Sequence, residues 1–372
     1  MHHYKNRLIQ FRKLLAKKQF DVFLVLIEEN RRYLSGFTGE DNSFDESAGA
    51  LLISASHAVL ATDSRFELQA GNETLKQEFK IVKYEKGLEK ALPDILTAMH
   101  CKRLGFESTR LSYKAYLKIA EKLKSDGLEV ELIPCETLVE NLRITKDEDE
   151  IMATRKALVL AETVFTDVIK TLKPGMTEKE TAWAMDKGMR EAGADCVSFP
   201  TICASGLNSA LPHAIPTNRR LQADEPILFD WGARLNGYCS DTTRTIVLGT
   251  PDKLFTKVYS TVRDAQRFAI DAIRPGVTGK AVDAVARNHI HSNGFKDKFG
   301  HGLGHGTGLA VHEGPRLSRL YDKPLDTGMI ITVEPGVYLP DWGGVRIENQ
   351  VVVREDGAEV LNTLDTALIS SS

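Results

Sequence analysis

Four carboxylates and a group of histidines in the second half of this 372-residue chain have the types and spacing to do chemistry. Asp230 and Asp241 form one pair and Glu334 and Glu348 another, and each pair brackets a turn signal, Asn236-Gly237 or Asp341-Trp342-Gly343-Gly344. Two antiparallel strands joined at such turns would set both acids of a pair side by side. Each acid lies in or beside a run of Ile, Leu, Phe and Val, where an ionised carboxylate is costly unless something compensates it. A bound cation would compensate; so would salt bridges to Arg234, Arg244 and Arg346.

The stretch Gly300-His301-Gly302-Leu303-Gly304-His305-Gly306-Thr307-Gly308 weighs towards the cation. Glycine at alternate positions permits close approach of backbone and ligand, and an extended chain would put His301 and His305 on one side. His301, His305 and His312 fall within twelve residues, and His213 sits in Leu211-Pro212-His213-Ala214. A nucleotide-binding loop would need glycine where His305 stands, and no Walker lysine follows. Four carboxylates with one imidazole make an oxygen-rich set of formal charge about −4. Two divalent cations would neutralise it, and such hard ligands favour manganese, cobalt or zinc over a thiolate-type site. Ser205 and Ser240 have no evident triad and no cysteine lies in a nucleophile motif, so an acyl-enzyme route is not expected.

These residues need elements to carry them, and a weak internal repeat supplies the plan. Leu172-Lys173-Pro174-Gly175-Met176-Thr177 reappears as Ile273-Arg274-Pro275-Gly276-Val277-Thr278, offset by 101 residues. Thr177 and Thr278 are N-cap candidates, Thr177 with Glu180 matches a capping box, and each helical stretch ends at a glycine, Gly193 or Gly294. Downstream, Ile227-Leu228-Phe229-Asp230-Trp231-Gly232 is mirrored by Ile330-Ile331-Thr332-Val333-Glu334-Pro335-Gly336, so each half offers an acid at the end of an apolar strand. Related halves about a pseudo-two-fold axis could bring these acids together. Before them, a helical pattern at Leu8, Phe11, Leu14 and Leu15, strand signals at 22–26, 50–53, 58–61 and 81–82, and helical patterns near 88–99 and 112–125 predict an α/β unit. Its boundary is expected near 138–146, ahead of a long helix reaching Leu172.

Composition excludes several classes. Forty-eight basic against fifty-one acidic side chains leave a net charge of −3, with no electrostatic footprint for nucleic acid. The longest clean apolar run, Val22 to Ile27, is too short to span a membrane. No leader pattern is visible, and five scattered cysteines without a C-x-x-C pair fit reduced thiols, so a cytoplasmic protein is expected.

At Phe229–Gly232, Gly237–Thr245, Gly302–Gly308, Val333–Gly336 and Gly344–Asn349 the sequence resembles the M24 metallopeptidase family, the pita-bread-fold group of Xaa-Pro aminopeptidase, prolidase and methionine aminopeptidase. Arg32–Gly39 and Thr62–Phe66 also resemble the creatinase-type N-terminal domain that methionine aminopeptidases generally lack. The resemblance implies an α/β creatinase/prolidase-like N-terminal domain over 1–140 and an α+β pita-bread catalytic domain, with its internal pseudo-two-fold repeat, over 141–372. It implies two metals held by Asp230, Asp241, His305, Glu334 and Glu348, with Asp241 and Glu348 bridging them. It places His213, His301 and His312 along the substrate site, with Arg346 orienting ligands.

The activity expected is a metal-dependent Xaa-Pro aminopeptidase acting on peptides with proline second. A hydroxide shared by two cations would attack the preceding carbonyl, and Glu334 would carry the proton. A prolidase restricted to dipeptides would share every ligand. A non-peptidase relative or binding-only module would lack the ligand set, and a two-His-one-carboxylate iron oxygenase does not fit the surplus of carboxylates. A homodimer is implied as well. The acidic loop Glu40–Ser47 reads as an overhang on a partner's site that selects basic or free-amino peptide ends.

Overall fold

The computed structural model describes residues 2–41, 43–367 and 370–371. It divides at Arg143/Ile144 into two compact units. The first runs α1 (His2–Lys18), β1 (Val22–Val25), α2 (Glu28–Ser35), β2 (Ala50–Ser54), β3 (Ala58–Thr62), α3 (Glu67–Glu73), β4 (Phe79–Lys83), α4 (Leu88–Ala98), β5 (Arg103–Glu107), α5 (Tyr113–Ser125), β6 (Glu131–Cys135) and α6 (Glu140–Arg143). Its sheet has the order β4-β3-β2-β1-β5-β6, with β2 antiparallel to both neighbours and the other pairings parallel. Strands β1, β2 and β3 are buried along their whole length, because helices cover both faces of such a sheet. In the acidic loop, Asn42 lies outside the described residues. Asp41 is not a free overhanging charge: it pairs with Arg31 at 2.6 Å and Arg110 at 3.1 Å, while Glu40, Asp45 and Glu46 are exposed.

The second unit opens with α7 (Glu148–Ile169) and α8 (Glu178–Glu191), followed by β7 (Cys196–Val197), β8 (Ile202–Ser205), β9 (Pro226–Trp231), β10 (Ala233–Leu235), β11 (Tyr238–Cys239) and β12 (Thr242–Leu248). Then come α9 (Lys253–Ala272), α10 (Gly279–Ile290), β13 (Gly304–Gly306), β14 (Glu313–Leu317), β15 (Ile330–Val333), β16 (Gly336–Leu339), β17 (Gly343–Arg346), β18 (Asn349–Arg354), β19 (Gly357–Val360) and β20 (Ser370–Ser371). Helices α7 and α8 pack on the sheet β20-β12-β9-β8, where the Phe165 and Trp231 rings stack at 4.2 Å. Helices α9 and α10 pack on the sheet β14-β13-β15-β18-β19.

The repeat is built into the hydrogen bonding. Thr177 and Thr278 both cap their helices, Thr177 in a full capping box with Glu180. Gly175 donates to Leu221 and receives its strand back through Leu221 N to Met176 O; Gly276, Leu325 and Val277 make the same pair of bonds in the other half. The helix endings differ. Gly193 follows α8 directly, whereas a π-helical turn, His291–Phe295, carries Gly294 beyond α10.

Candidate metal centre

In each half, the strands that carry the acids pair antiparallel, but the turn between them is not a simple hairpin. Asp230 stands opposite Thr243 in the β9–β12 register, which places Asp241 diagonally on the same face. Val333 stands opposite Asn349 in the β15–β18 register, so Glu334 and Glu348 face each other where that register would continue. Asn236-Gly237 turns β10 into β11, and residues 340–342 turn β16 into β17, so a side hairpin is inserted at the acids of both halves. Gly232 allows this in the first half, since a Cβ there would lie 1.9 Å from the Ser240 carbonyl oxygen.

The glycines around His305 serve backbone packing. A Cβ on Gly304 would meet Thr332 O, and one on Gly306 would meet Gly314 O, each at 1.9 Å. What approaches closely at these two positions is neighbouring strand, which threads β13 between β14 and β15 and holds His305 inside the sheet. His305 Nδ1 lies 3.1 Å from Gly306 O, and a carbonyl can only accept, so Nδ1 bears the proton. Nε2 therefore turns a lone pair towards Asp241 Oδ2 at 3.6 Å and Glu334 Oε1 at 3.5 Å. Burial, then His312, pushes the His305 pKa down to about 3, so the ring is neutral at physiological pH.

All nine residues singled out in the sequence, namely His213, Asp230, Asp241, His301, His305, His312, Glu334, Arg346 and Glu348, line one cleft of about 510 Å³. Asp241, His305 and Glu348 each offer a ligand atom, all within 4.8 Å of one another. Burial first, and neighbouring carboxylates second, hold Asp241 and Glu348 well above the usual carboxylate range, and burial pushes Glu334 up to about 8. Asp230 Oδ1 and Glu348 Oε1 are buried without a hydrogen-bond partner among the described residues. Orphaned acceptors, a neutral imidazole lone pair and four clustered acids are what a divalent cation with oxygen and nitrogen ligands would satisfy, so these residues fit a metal.

The supporting contacts are specific. Thr243 Oγ1 donates to Glu348 Oε2 at 2.6 Å, and Gln350 Oε1 accepts from the Asp241 amide at 3.0 Å. Arg346 donates to Asp230 Oδ2 at 2.6 Å, to the Tyr338 hydroxyl at 2.9 Å and to Pro212 O at 3.2 Å. Burial opposes that charge, but Tyr338, Asp230 and Glu334 keep the guanidinium protonated. The salt-bridge alternative is realised between Arg346 and Asp230, and it occupies only one of that acid's oxygens.

The histidines divide into two kinds. His301 Nδ1 donates to Gly302 O and its Nε2 accepts from Tyr338, each at 2.8 Å, so neither nitrogen is left for a substrate in this arrangement. Burial and Arg346 push its pKa down to about 4. His213 and His312 are exposed at the mouth, and the His312 ring meets His305 edge-on at 4.4 Å. Glu313, the next residue after His312, is fixed inward by Lys146 at 2.6 Å in a pair that is almost fully buried. That clamp fixes the start of β14, and His312, in the bend just before it, lines the cleft.

Two polar residues that matter to the site escaped the sequence reading, one behind the cleft wall and one on it. Tyr338 joins Arg346 to His301, and nothing in its local sequence marks it. Arg316 lines the same cleft and makes no ion pair among the described residues. Nothing in its local sequence marks it, because the β13–β14 register slips between Glu313 and Arg316 and simple alternation from His312 does not place it. Ser205 and Ser240 are fully buried and bonded to Glu178 and Ala233, which leaves neither as a nucleophile.

Residues 152–355 match metallopeptidase family M24, and residues 7–145 match the creatinase/prolidase N-terminal domain. The chain is 35% identical over 367 residues to the Xaa-Pro dipeptidase of Pyrococcus furiosus, covering 98% of this chain and 100% of that one. An Xaa-Pro dipeptidase structure from Bacillus anthracis superposes with a TM-score of 0.92 at 35% identity, covering 99% of both chains. An X-Pro aminopeptidase structure from Thermotoga maritima superposes with a TM-score of 0.87 at 36% identity, covering 97% of this chain and 99% of that one.

Proposed function

Because the chain belongs to metallopeptidase family M24, with the pita-bread architecture and a creatinase-like N-terminal domain, we propose that it is a metal-dependent prolidase, cleaving Xaa-Pro dipeptides. In this reading residues 1–140 form the creatinase/prolidase-like domain and 141–372 the catalytic domain. Named relatives favour the dipeptidase over the Xaa-Pro aminopeptidase that the sequence put first. One observation carries the choice: Arg316, with no ion-pair partner among the described residues, lines the cleft beside the acids. A dipeptide puts a carboxylate one residue beyond the scissile bond, and a guanidinium is the group suited to receive it.

Asp230, Asp241, His305, Glu334 and Glu348 would hold two divalent cations, manganese first and cobalt or zinc as alternatives. When bound, the cations supply Lewis acidity, lowering the pKa of water and polarising the scissile carbonyl. The protein's own groups do the rest. Arg316 fixes the substrate carboxylate, and His312, whose pKa is lowered by partial burial of its ring and by Arg316, donates to the carbonyl oxygen as negative charge develops there. Water oxygen bonds to the carbonyl carbon, Glu334 Oε1 takes the proton released, and the proton passes to the proline nitrogen as the carbon–nitrogen bond breaks. His213 assists proton movement at the mouth. His301 acts through Tyr338 and Arg346 to keep Asp230 in place.

Initial rates on an Xaa-Pro dipeptide, an Xaa-Pro-Xaa tripeptide and a proline-free tripeptide test this reading, using chelator-stripped protein with and without manganese, cobalt or zinc. Metal-restored turnover of the dipeptide alone is expected. Preferred cleavage of the prolyl tripeptide would return the aminopeptidase, and no metal-dependent cleavage would leave a non-peptidase. The same reading takes a cytoplasmic homodimer, checked by light scattering and cell fractionation.

A further inference from the structure

Residues 362–367 lie beyond the 152–355 family match and form neither helix nor strand, yet buried side chains from three elements take up their polar groups. The Glu162 carboxylate of α7, 3% exposed, accepts from Asn362 Nδ2 and Thr363 N at 2.9 Å, Thr363 Oγ1 at 2.5 Å and Leu364 N at 3.1 Å. Arg244 of β12 donates to Leu364 O at 2.6 Å and Asp365 O at 3.0 Å. The Tyr259 hydroxyl of α9 donates to Thr366 O at 3.1 Å. Irregular backbone held by so many buried side-chain bonds is a fixed part of the fold.

Arg244 reaches in the other direction as well. Its Nη1 donates to Glu348 O at 2.5 Å and Thr243 O at 2.9 Å, and its Nη2 to Asn349 Oδ1 at 2.8 Å. All five acceptors of this fully buried guanidinium among the described residues are carbonyl oxygens, so none of those hydrogen bonds is to a carboxylate. The guanidinium is a rigid planar fork, and fixing one edge on residues 364–365 fixes the edge that holds the Glu348 backbone. A ligand must be held to within a few tenths of an ångström to keep its metal.

We propose that residues 362–367 are a strap that, through Arg244 as a positioning residue, holds Glu348 in the geometry needed to bind a divalent cation. The inference rests on the reading of Glu348 as a metal ligand. None of the strap residues lines the cleft, so the effect is transmitted through Arg244 and the β12–β18 backbone.

The test uses Co(II) alone, with affinity measured by competition against a chelating dye and ligand geometry by the visible absorption of the bound ion. Glu162→Ala releases the strap, and Arg244→Lys keeps the charge but removes the fork. Each is expected to weaken Co(II) at least tenfold and to shift the absorption bands, whereas Glu162→Gln, which retains an acceptor oxygen, recovers most of the affinity. Met185→Ala, a core change under α8, controls for general destabilisation and is expected to leave both readouts unchanged. Asn362→Ala, which removes a single strap side chain, replaces Glu162→Ala if that variant does not fold. Unchanged affinity and spectrum in the strap variants and Arg244→Lys, with tight binding by the parent, would overturn the strap alone. A parent protein that takes up no Co(II) would overturn the metal reading and this inference together.

Discussion

The Arg346 guanidinium stands 2.6 Å from Asp230 Oδ2, while the other oxygen of the same carboxylate is buried without a partner among the described residues. One acid is thus half neutralised by the protein and half open towards the cleft. Removing the guanidinium leaves a buried carboxylate uncompensated, which costs on the order of 3 kcal/mol. Arg346→Ala is therefore expected to destabilise the chelator-stripped protein by about that amount, with part recovered on adding manganese. Denaturant midpoints with and without metal check this, and equal losses in both would separate Asp230 from metal binding.

Asp241 and Glu348 are expected to work against folding when no metal is present. Burial first, and neighbouring carboxylates second, raise both pKa values, so each ionised carboxylate is less stable folded than unfolded. Asp241→Asn and Glu348→Gln should stabilise the stripped protein by about 1 kcal/mol or more while abolishing metal uptake. The alanine variants should likewise lose metal and activity and keep the fold. Elemental analysis and melting curves read both effects, and a variant with full metal and full turnover would remove that residue from the ligand set.

Arg316→Ala is expected to discriminate by substrate end. The KM for an Xaa-Pro dipeptide should rise about thirtyfold, corresponding to about 2 kcal/mol for a lost charge-assisted contact. An Xaa-Pro amide, which carries no carboxylate, should show little change. Equal effects on acid and amide would place Arg316 away from the carboxylate.

Glu107 gives the first unit a pH dependence of definite sign. Its carboxyl is 3% exposed at the end of β5, where it accepts from Leu26 N and Ile27 N at 2.6 Å and from Asn30 at 2.7 Å. Burial pushes its pKa up to about 7 from the ordinary glutamate value of 4.5, and the donors hold it back. Between those values the folded state keeps a proton that the unfolded state has lost, so stability falls as pH rises from 4.5 to about 7 and levels off above. The loss is on the order of 3 kcal/mol. Urea midpoints across pH 5 to 8 should show this slope in the parent and a flatter line in Glu107→Gln; parallel slopes would argue that Glu107 stays ionised throughout.

Much of the architecture was legible locally. The Pro-Gly-x-Thr repeats, the helix caps and the acid-ended apolar strands depend on residues close in sequence, and the structure builds each where its pattern lies. The nine site residues could be named because carboxylates and histidines among apolar strands and glycines are costly without a use, and because the family motifs carry them. Yet the glycines flanking His305 looked like room for a ligand, and at Gly304 and Gly306 they turned out to make room for neighbouring strands.

What sequence alone determined is which groups have the chemistry: four acids and an imidazole on strand ends, within two related halves. Tertiary structure decided what each nitrogen and oxygen is free to do. Gly302 O and Tyr338 between them commit both nitrogens of His301, Arg346 claims one oxygen of Asp230, and Arg244 ties Glu348 to residues past the end of the family match. These partners lie up to 120 residues apart in the chain. Local pattern records burial and backbone conformation, whereas such hydrogen bonds depend on how distant strands register against one another, and that is set only when the two halves pack.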